Sequence, residues 1–267
     1  MSERIHIDEN DGIATVSMTR GEKRNALDLE MIEALVEAGE ALKSRKDIRA
    51  VTLQGEGAAF SAGLDTSAFP LLLRAAEQSG GITGRSHGES NLFQRAAMVW
   101  TEVPVPVIAA LHGFAFGGAF QIALAADIRI SAPDCRFSIM EGKWGIVPDM
   151  GGMVLMPGLA HSDVIRRLTY TAEIFDARAA CDWGFVTELA DDPKERALAL
   201  AREIAARSPD AVRAAKAMIS QTERMNSAAD ILMQESVVQQ SLIGTPNQLE
   251  AVMAGLQQRP PVFRDPK

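Results

Sequence analysis

A strand that gives way to a helix across two adjacent glycines constrains this chain more than any other feature. Val105 to Leu111 is a β-branched apolar run that reads as a buried strand, and His112-Gly113 ends it. From Gly118 to Ala126 the run GAFQIALAA has helix-forming residues at helical apolar spacing, which puts Gly117-Gly118 at a helix N-terminus. The first N–H groups of a helix have no partner within it, and glycine, lacking Cβ, lets an oxygen atom approach them closely. Residues 117 and 118 thus offer one half of an oxyanion hole. Gln121 stands three residues after Gly118, about one helical turn, so its side chain is expected on the side those N–H groups face. Asp127 to Ser131 and Phe137 to Met140 read as short strands that lead to Glu141, with Asp149 eight residues further on.

Enough chain surrounds this stretch to bury it. The 267 residues, 47% apolar and 23% charged, suit one large domain or one domain with a small appendage. Two alternating runs, Ile5/Ile7 and Ile13/Thr15/Ser17, flank Asn10-Asp11-Gly12 and predict a hairpin. After the polar loop Arg20 to Leu27, Asp28 is placed to N-cap a helix through about Lys43, with Met31, Ile32, Leu35 and Val36 facing inward. Ala50 to Leu53 is a strand. Residues 76–91, EQSGGITGRSHGESNL, are rich in glycine and serine and read as a mobile lid before a helix over 91–101. Beyond Gly152 come a helix over 162–170, a short helix and strand over 175–189, and helices over 193–207, 209–221, 228–242 and 246–258, three of them starting at proline. Strands thus dominate the first two-thirds and helices the last third. The apolar Ile231, Leu232, Val237 and Val238 call for cover from another subunit.

Several functions are disfavoured. A net charge of −8 without a Lys/Arg cluster argues against a nucleic-acid surface. Cys135 and Cys181 lack metal-ligand spacing and are too few for a disulfide scaffold; both read as buried small residues in a reducing compartment, and no metal site is expected. The charged N-terminus MSERIHIDENDG does not resemble a signal peptide, and no stretch reaches the roughly 18 apolar residues of a membrane span, so a cytoplasmic protein without a membrane partner is expected. Gly55 and Gly57 begin a dinucleotide fingerprint that fails at Phe60, and Ser61 lacks the G-x-S-x-G elbow of a nucleophilic serine. Lys23 and Arg24 fit solvated loop charges and anion binding equally well.

Three segments, FSAGLD (60–65), HGFAFGGAFQIALAADIRI (112–130) and GIVPDMGG (145–152), together with KRNAL (23–27), resemble the crotonase family of enoyl-CoA hydratases and isomerases over essentially the whole chain. The resemblance implies an α/β fold, the crotonase-like spiral of β-β-α units. It divides the chain into an acyl-CoA-binding core over 1–195 and a C-terminal helical region over 196–267 that packs on neighbouring subunits, in a homotrimer or a dimer of trimers. It also implies that the backbone N–H groups of Leu64 and Gly118 bind a thioester carbonyl. Lys23 and Arg24 would lie near CoA phosphates, with Ala26, Ala62, Gly63 and Asp65 around the pantetheine and adenine. Phe114, Gly117 and Met140 would line the acyl and thioester end, and Arg259 would reach a phosphate, within the chain or from a neighbour. No cofactor is implied, since the CoA thioester is itself the substrate.

The chain departs from the family's hydratases at one position. Those enzymes carry two glutamates that hold water; here the first is Gln121 and the second is Glu141. An amide holds water but takes up no proton, so acid–base work falls on Glu141 or another acid. Asp149 matches an aspartate that the family's dienoyl-CoA isomerases pair with their glutamate; alternatively it caps a helix starting near Met150. The expected chemistry is double-bond migration by Glu141 and Asp149. The alternatives are hydration by Glu141 with Gln121 orienting water, and acyl-CoA binding without catalysis.

Overall fold

The computed structural model describes residues 3–65, 82–223, 225 and 227–266. β1 (Ile5–Asn10) and β2 (Ile13–Met18) pair antiparallel around Asp11 and Gly12, whose φ of 49° and 77° give the left-handed turn such a hairpin needs. The Asp28 carboxylate accepts the Met31 N–H at 2.8 Å and starts α1 (Leu29–Lys43), whose apolar stripe is buried. β3 (Ala50–Gly55) follows, then α2 (Leu92–Glu102), opened by a capping box of Asn91 and Gln94.

From there the chain alternates between two sheets. β4 (Val107–Leu111) joins the first sheet, β5 (Phe114–Phe116) the second, and α3 (Gly118–Leu124) returns. β6 (Ile128–Ser131) and β7 (Arg136–Ser138) repeat this step. A 3-10 turn over Met140–Trp144, the short α4 (Gly152–Leu155) and α5 (Ser162–Thr171) come next. β8 (Phe175–Asp176), α6 (Ala177–Asp182) and β9 (Glu188–Leu189) complete the sheets. The six-stranded sheet has the order β1-β2-β3-β4-β6-β9, parallel from β2 onward, and the three-stranded sheet is β5-β7-β8. The repeated strand–strand–helix step is the expected spiral.

Every residue of β4 is buried because both faces of the sheet are covered. Val107, Ala109 and Leu111 point into the main core with Leu35 and Trp100. Ile108 and Ala110 point the other way, with Ile13, Ala50 and Ile130, onto an alanine stripe at 197, 201 and 205 of α7 (Pro193–Ala205). The boundary expected at 195/196 therefore runs through α7, a helix whose small residues belong to the core. α8 (Pro209–Thr222), α9 (Ala228–Leu242) and α10 (Pro246–Leu256) follow. Lys216 on α8 reaches back to Asp127 at 2.6 Å and to the Val105 carbonyl at 3.0 Å.

Other local expectations shift. The strand placed over 137–140 ends at Ser138, since its partners β5 and β8 are three and two residues long, and Met140 already begins the 3-10 turn. Cys135 is buried, and burial pushes its thiol up to about 12; Cys181 is half-buried rather than buried. The lid reading falls partly on residues 76–81, outside the described residues; from 82 to 91 the chain forms turns closed by a His87–Ser90 bridge. Among the described residues no helix is long and apolar enough to cross a membrane.

Candidate active site

A cavity of about 760 Å³ opens on the main-core side of the six-stranded sheet. Its floor is backbone. The 61–65 segment runs beside two others through bridges Leu27–Leu64 and Ser61–Ala115. Leu27 donates to the Gly63 carbonyl at 2.8 Å and accepts from Asp65 N–H at 3.0 Å, so the N–H of Leu64, between them, points away from this bridge. Gly63 has φ of 80°, and a Cβ there would lie 2.3 Å from the Phe116 carbonyl oxygen, so only glycine allows the segment to approach β5. Gly117 N–H donates to the Ser138 carbonyl at 3.0 Å, which fixes the glycine pair to β7 and turns Gly118 into the first helical residue. Among the described residues the N–H groups of Leu64 and Gly118 have no protein acceptor, and both residues line the cavity.

The acids of the site are side chains. Glu141 and Asp149 both line the cavity. Burial raises the Glu141 carboxyl above the ordinary glutamate range, opposed by hydrogen bonds and reinforced by the Asp149 charge. Burial likewise raises the Asp149 carboxyl. Asp149 does not cap a helix: α4 starts at Gly152, and its N-cap is Gly151 with φ of 95°. The chain between the acids carries Trp144, Ile146 and Val147, which line the cavity while staying 51%, 43% and 67% exposed.

Gln121 is not among the cavity-lining residues. It is 1% exposed, its Oε1 accepts from the N–H groups of Met150 and Gly152 at 2.9 Å each, and its Nε2 donates to Glu141 Oε1 at 2.5 Å. The expectation that its side chain faces the oxyanion donors is corrected: the amide oxygen is held by the 150–152 backbone and the amide nitrogen donates to Glu141. Glu141 Oε2, in contrast, is buried without a protein partner among the described residues.

Lys23, Ala26, Ala62, Gly63 and Asp65 line the same cavity. Asp65 is held by Arg20 at 2.7 Å. Arg24 and Phe114, expected in the site, are not among its lining residues: the Arg24 guanidinium lies 6.0 Å from the Phe114 ring centre, and that ring stacks at 5.0 Å on Phe116, which lines the cavity instead. Arg24 and Asn25 adopt positive φ of 54° and 52°. Asn25 is buried and stabilises this loop, donating to the carbonyls of Glu56 and Ala59 at 2.9 Å each while its own carbonyl accepts from Ser61 Oγ at 2.7 Å. Met140 and Gly117 line the cavity as expected in place. Arg259 does not; it follows α10 and pairs through both terminal nitrogens with Glu250 at 2.5 and 2.8 Å. Asn25, Arg20 and the apolar wall Ile82, Phe93, Phe116, Trp144, Ile146, Val147 and Met150 were not legible as site residues. Hydrophobic side chains carry no chemical signature in sequence, although asparagine in a turn is a known signal for positive φ.

Comparison with known proteins bears on the family and the fold. The sequence profile described as enoyl-CoA hydratase/isomerase matches residues 8–266. The mitochondrial methylglutaconyl-CoA hydratase of Mus musculus is 30% identical over 264 residues, 96% of this chain and 81% of that protein. The carnitinyl-CoA dehydratase of Salmonella typhi is 31% identical over 270 residues, 99% of each. Among solved structures, an enoyl-CoA hydratase from Bacillus anthracis superposes with a TM-score of 0.88 at 27% identity, covering 98% of this chain and 99% of that one. One from Polaromonas sp. JS666 gives 0.86 at 27%, covering 97% and 99%. The chain is a member of the enoyl-CoA hydratase/isomerase family and has its crotonase fold.

Proposed function

We propose that the protein shifts a double bond in an acyl-CoA by way of a thioester enolate. The observation that carries this reading is the pairing of Glu141 and Asp149 on the cavity wall while Gln121 is turned into the protein. The thioester oxygen accepts hydrogen bonds from Leu64 N–H and Gly118 N–H, which strengthen as charge develops on it; each such donor is worth about 2.7–4 kcal/mol in the transition state. Glu141 lies beside these donors, since a Cβ on Gly117 would be 3.5 Å from its Oε1. Its carboxylate takes the C2 proton, and the electron pair passes to the thioester oxygen. Asp149, protonated, returns a proton at the far end of the conjugated system, the thioester carbonyl re-forms, and exchange with solvent resets both acids. Burial raises the proton affinity of both carboxyls, and the proposed reaction draws on the form in which the pair holds one proton, on Asp149. Lys23 meets the CoA phosphates, and Ala26, Ala62 and Gly63 line the pantetheine path.

Hydration is the second reading, favoured by the relatives named as a hydratase and a dehydratase. In it Glu141 and Asp149 hold the water. Assays of the purified protein with crotonyl-CoA, a 3-enoyl-CoA and a 3,5-dienoyl-CoA separate the two. Isomerisation is expected to be the faster reaction, and Asp149→Asn is expected to lower it by about 10²-fold, within the range for a positioned acid. Efficient hydration unchanged by Asp149→Asn would establish the second reading instead.

Assembly as a homotrimer or a dimer of trimers belongs to the same proposal. It is supported by Leu232, Met233 and Val237 on α9 and Leu249, Val252 and Leu256 on α10, all exposed in the single chain.

A further inference from the structure

We propose that Gln121 is a positioning residue that decides which oxygen of Glu141 handles the proton. The amide has one orientation open to it. Backbone N–H groups only donate, so the atom facing Met150 N and Gly152 N, each at 2.9 Å, is the carbonyl oxygen. The atom 2.5 Å from Glu141 Oε1 is then the NH₂ group, which only donates. Oε1 accepts that bond in both states, and a neutral carboxyl accepts better at its carbonyl oxygen than at its hydroxyl, so the proton is assigned to Oε2, the oxygen without a protein partner among the described residues. Oε2 is then the oxygen left to exchange a proton with the acyl group.

The lock is tight on its far side as well. A Cβ at Gly152 would meet Gln121 Oε1 at 2.7 Å, so glycine at 152 is what lets the amide close on the 150–152 backbone. Asp149 is the ionisable neighbour whose charge acts on Glu141; Lys23 and Asp65 are the other ionisable groups on the cavity wall. A glutamate at 121 would keep the acceptor for Met150 and Gly152 but replace the donor facing Glu141 by an oxygen. Two carboxylate oxygens at that separation share one proton, and the assignment of Oε1 as acceptor is lost.

This inference rests on the acid role given to Glu141 above, and its test has one arm that needs no turnover. The carboxyl of Glu141, labelled with ¹³C and identified by its loss in Glu141→Gln, is titrated by NMR in wild type, Gln121→Glu, Gln121→Met and Gly152→Ala. Wild type should show one step above the ordinary glutamate range. Gln121→Glu should give coupled steps, the upper one raised by about a unit or more as for other paired carboxylates. Gln121→Met and Gly152→Ala, which remove or displace the donor, should raise the Glu141 value by less. Isomerisation kcat in Gln121→Glu should fall by about 10–100-fold at pH 7, part of the ~10²–10⁴-fold that a positioned acid–base supplies, with KM near that of wild type. Titration and pH profile unchanged in folded Gln121→Glu and Gln121→Met, with only thermal stability lowered, would overturn the proposal. The titration shifts without activity on any of the three thioesters would support the Gln121–Glu141 coupling and overturn the reaction assigned above.

Discussion

The two halves of the candidate site are made of different material. The donor half is backbone, the N–H groups of Leu64 and Gly118, set on a bridged segment and a helix start whose neighbours Phe60, Ser61, Ala115 and Ala119 are wholly buried. The acid half is side chain, Glu141 and Asp149, on a 3-10 turn and a loop whose Trp144, Ile146 and Val147 are exposed. A single buried amide, Gln121, ties that loop to the helix that starts at the donors. Backbone donors work under any side chain, so in the proposed reaction the first half serves enolate stabilisation and nothing finer. Residue type counts only in the second half, and it is there that isomerisation and hydration part.

The largest expected effect comes from removing a donor without moving its surroundings. Gly118→Pro deletes the N–H, but a Cβ at 118 also meets Met150 Sδ at 2.4 Å, so the comparison to make is with Gly118→Ala, which carries the Cβ and keeps the donor. Proline should lower turnover about 10²–10³-fold beyond alanine. Equal turnover in the two folded variants would put the thioester oxygen elsewhere and break the division into halves.

The donor half was legible by two routes. A buried strand and a helix start single out Gly117 and Gly118, whereas Gly63 and Leu64 entered only through the family resemblance; the structure places Gly63, Gly117 and Gly118 on the cavity wall. The acid half was legible only as residue types. Helical spacing put Gln121 on the right turn of α3, yet which way its amide points depends on the Met150 and Gly152 N–H groups, which lie 29 and 31 residues away. From sequence alone a glutamate at 121 adds a second water-holding carboxylate whose like charge raises the pKa of one of the pair; the 2.5 Å contact adds that the two would share a proton. Phe114 and Phe116 illustrate the same limit. They stack on one face of β5, yet the second lines the cavity while the first meets the Arg24 guanidinium.

A smaller effect sharpens the comparison from the side of stability. Burial raises the Glu141 carboxyl, so folding favours its protonated form. The stability this gives is present in full below the unfolded value, about 4.3 for a glutamate, and is lost as pH rises through the higher folded value. Glu141→Gln, always neutral and still able to accept from Gln121, should therefore melt above wild type at pH 8, and the gap should close near pH 4. A variant that melts lower at pH 8 would show that the ionised carboxylate is stabilised where it stands, and that the acid half is not under the desolvation described here.

The central claim, that backbone donors and Glu141 together make an enolate, is tested most directly by proton exchange without turnover. A saturated acyl-CoA such as butyryl-CoA, incubated with the protein in deuterium oxide, has no double bond to move and no water to add. The account predicts deuterium entering C2 with wild type and with Asp149→Asn, and none above background with Glu141→Gln or Gly118→Pro. Exchange that persists undiminished in Glu141→Gln, or its absence in wild type at saturating thioester, would contradict it.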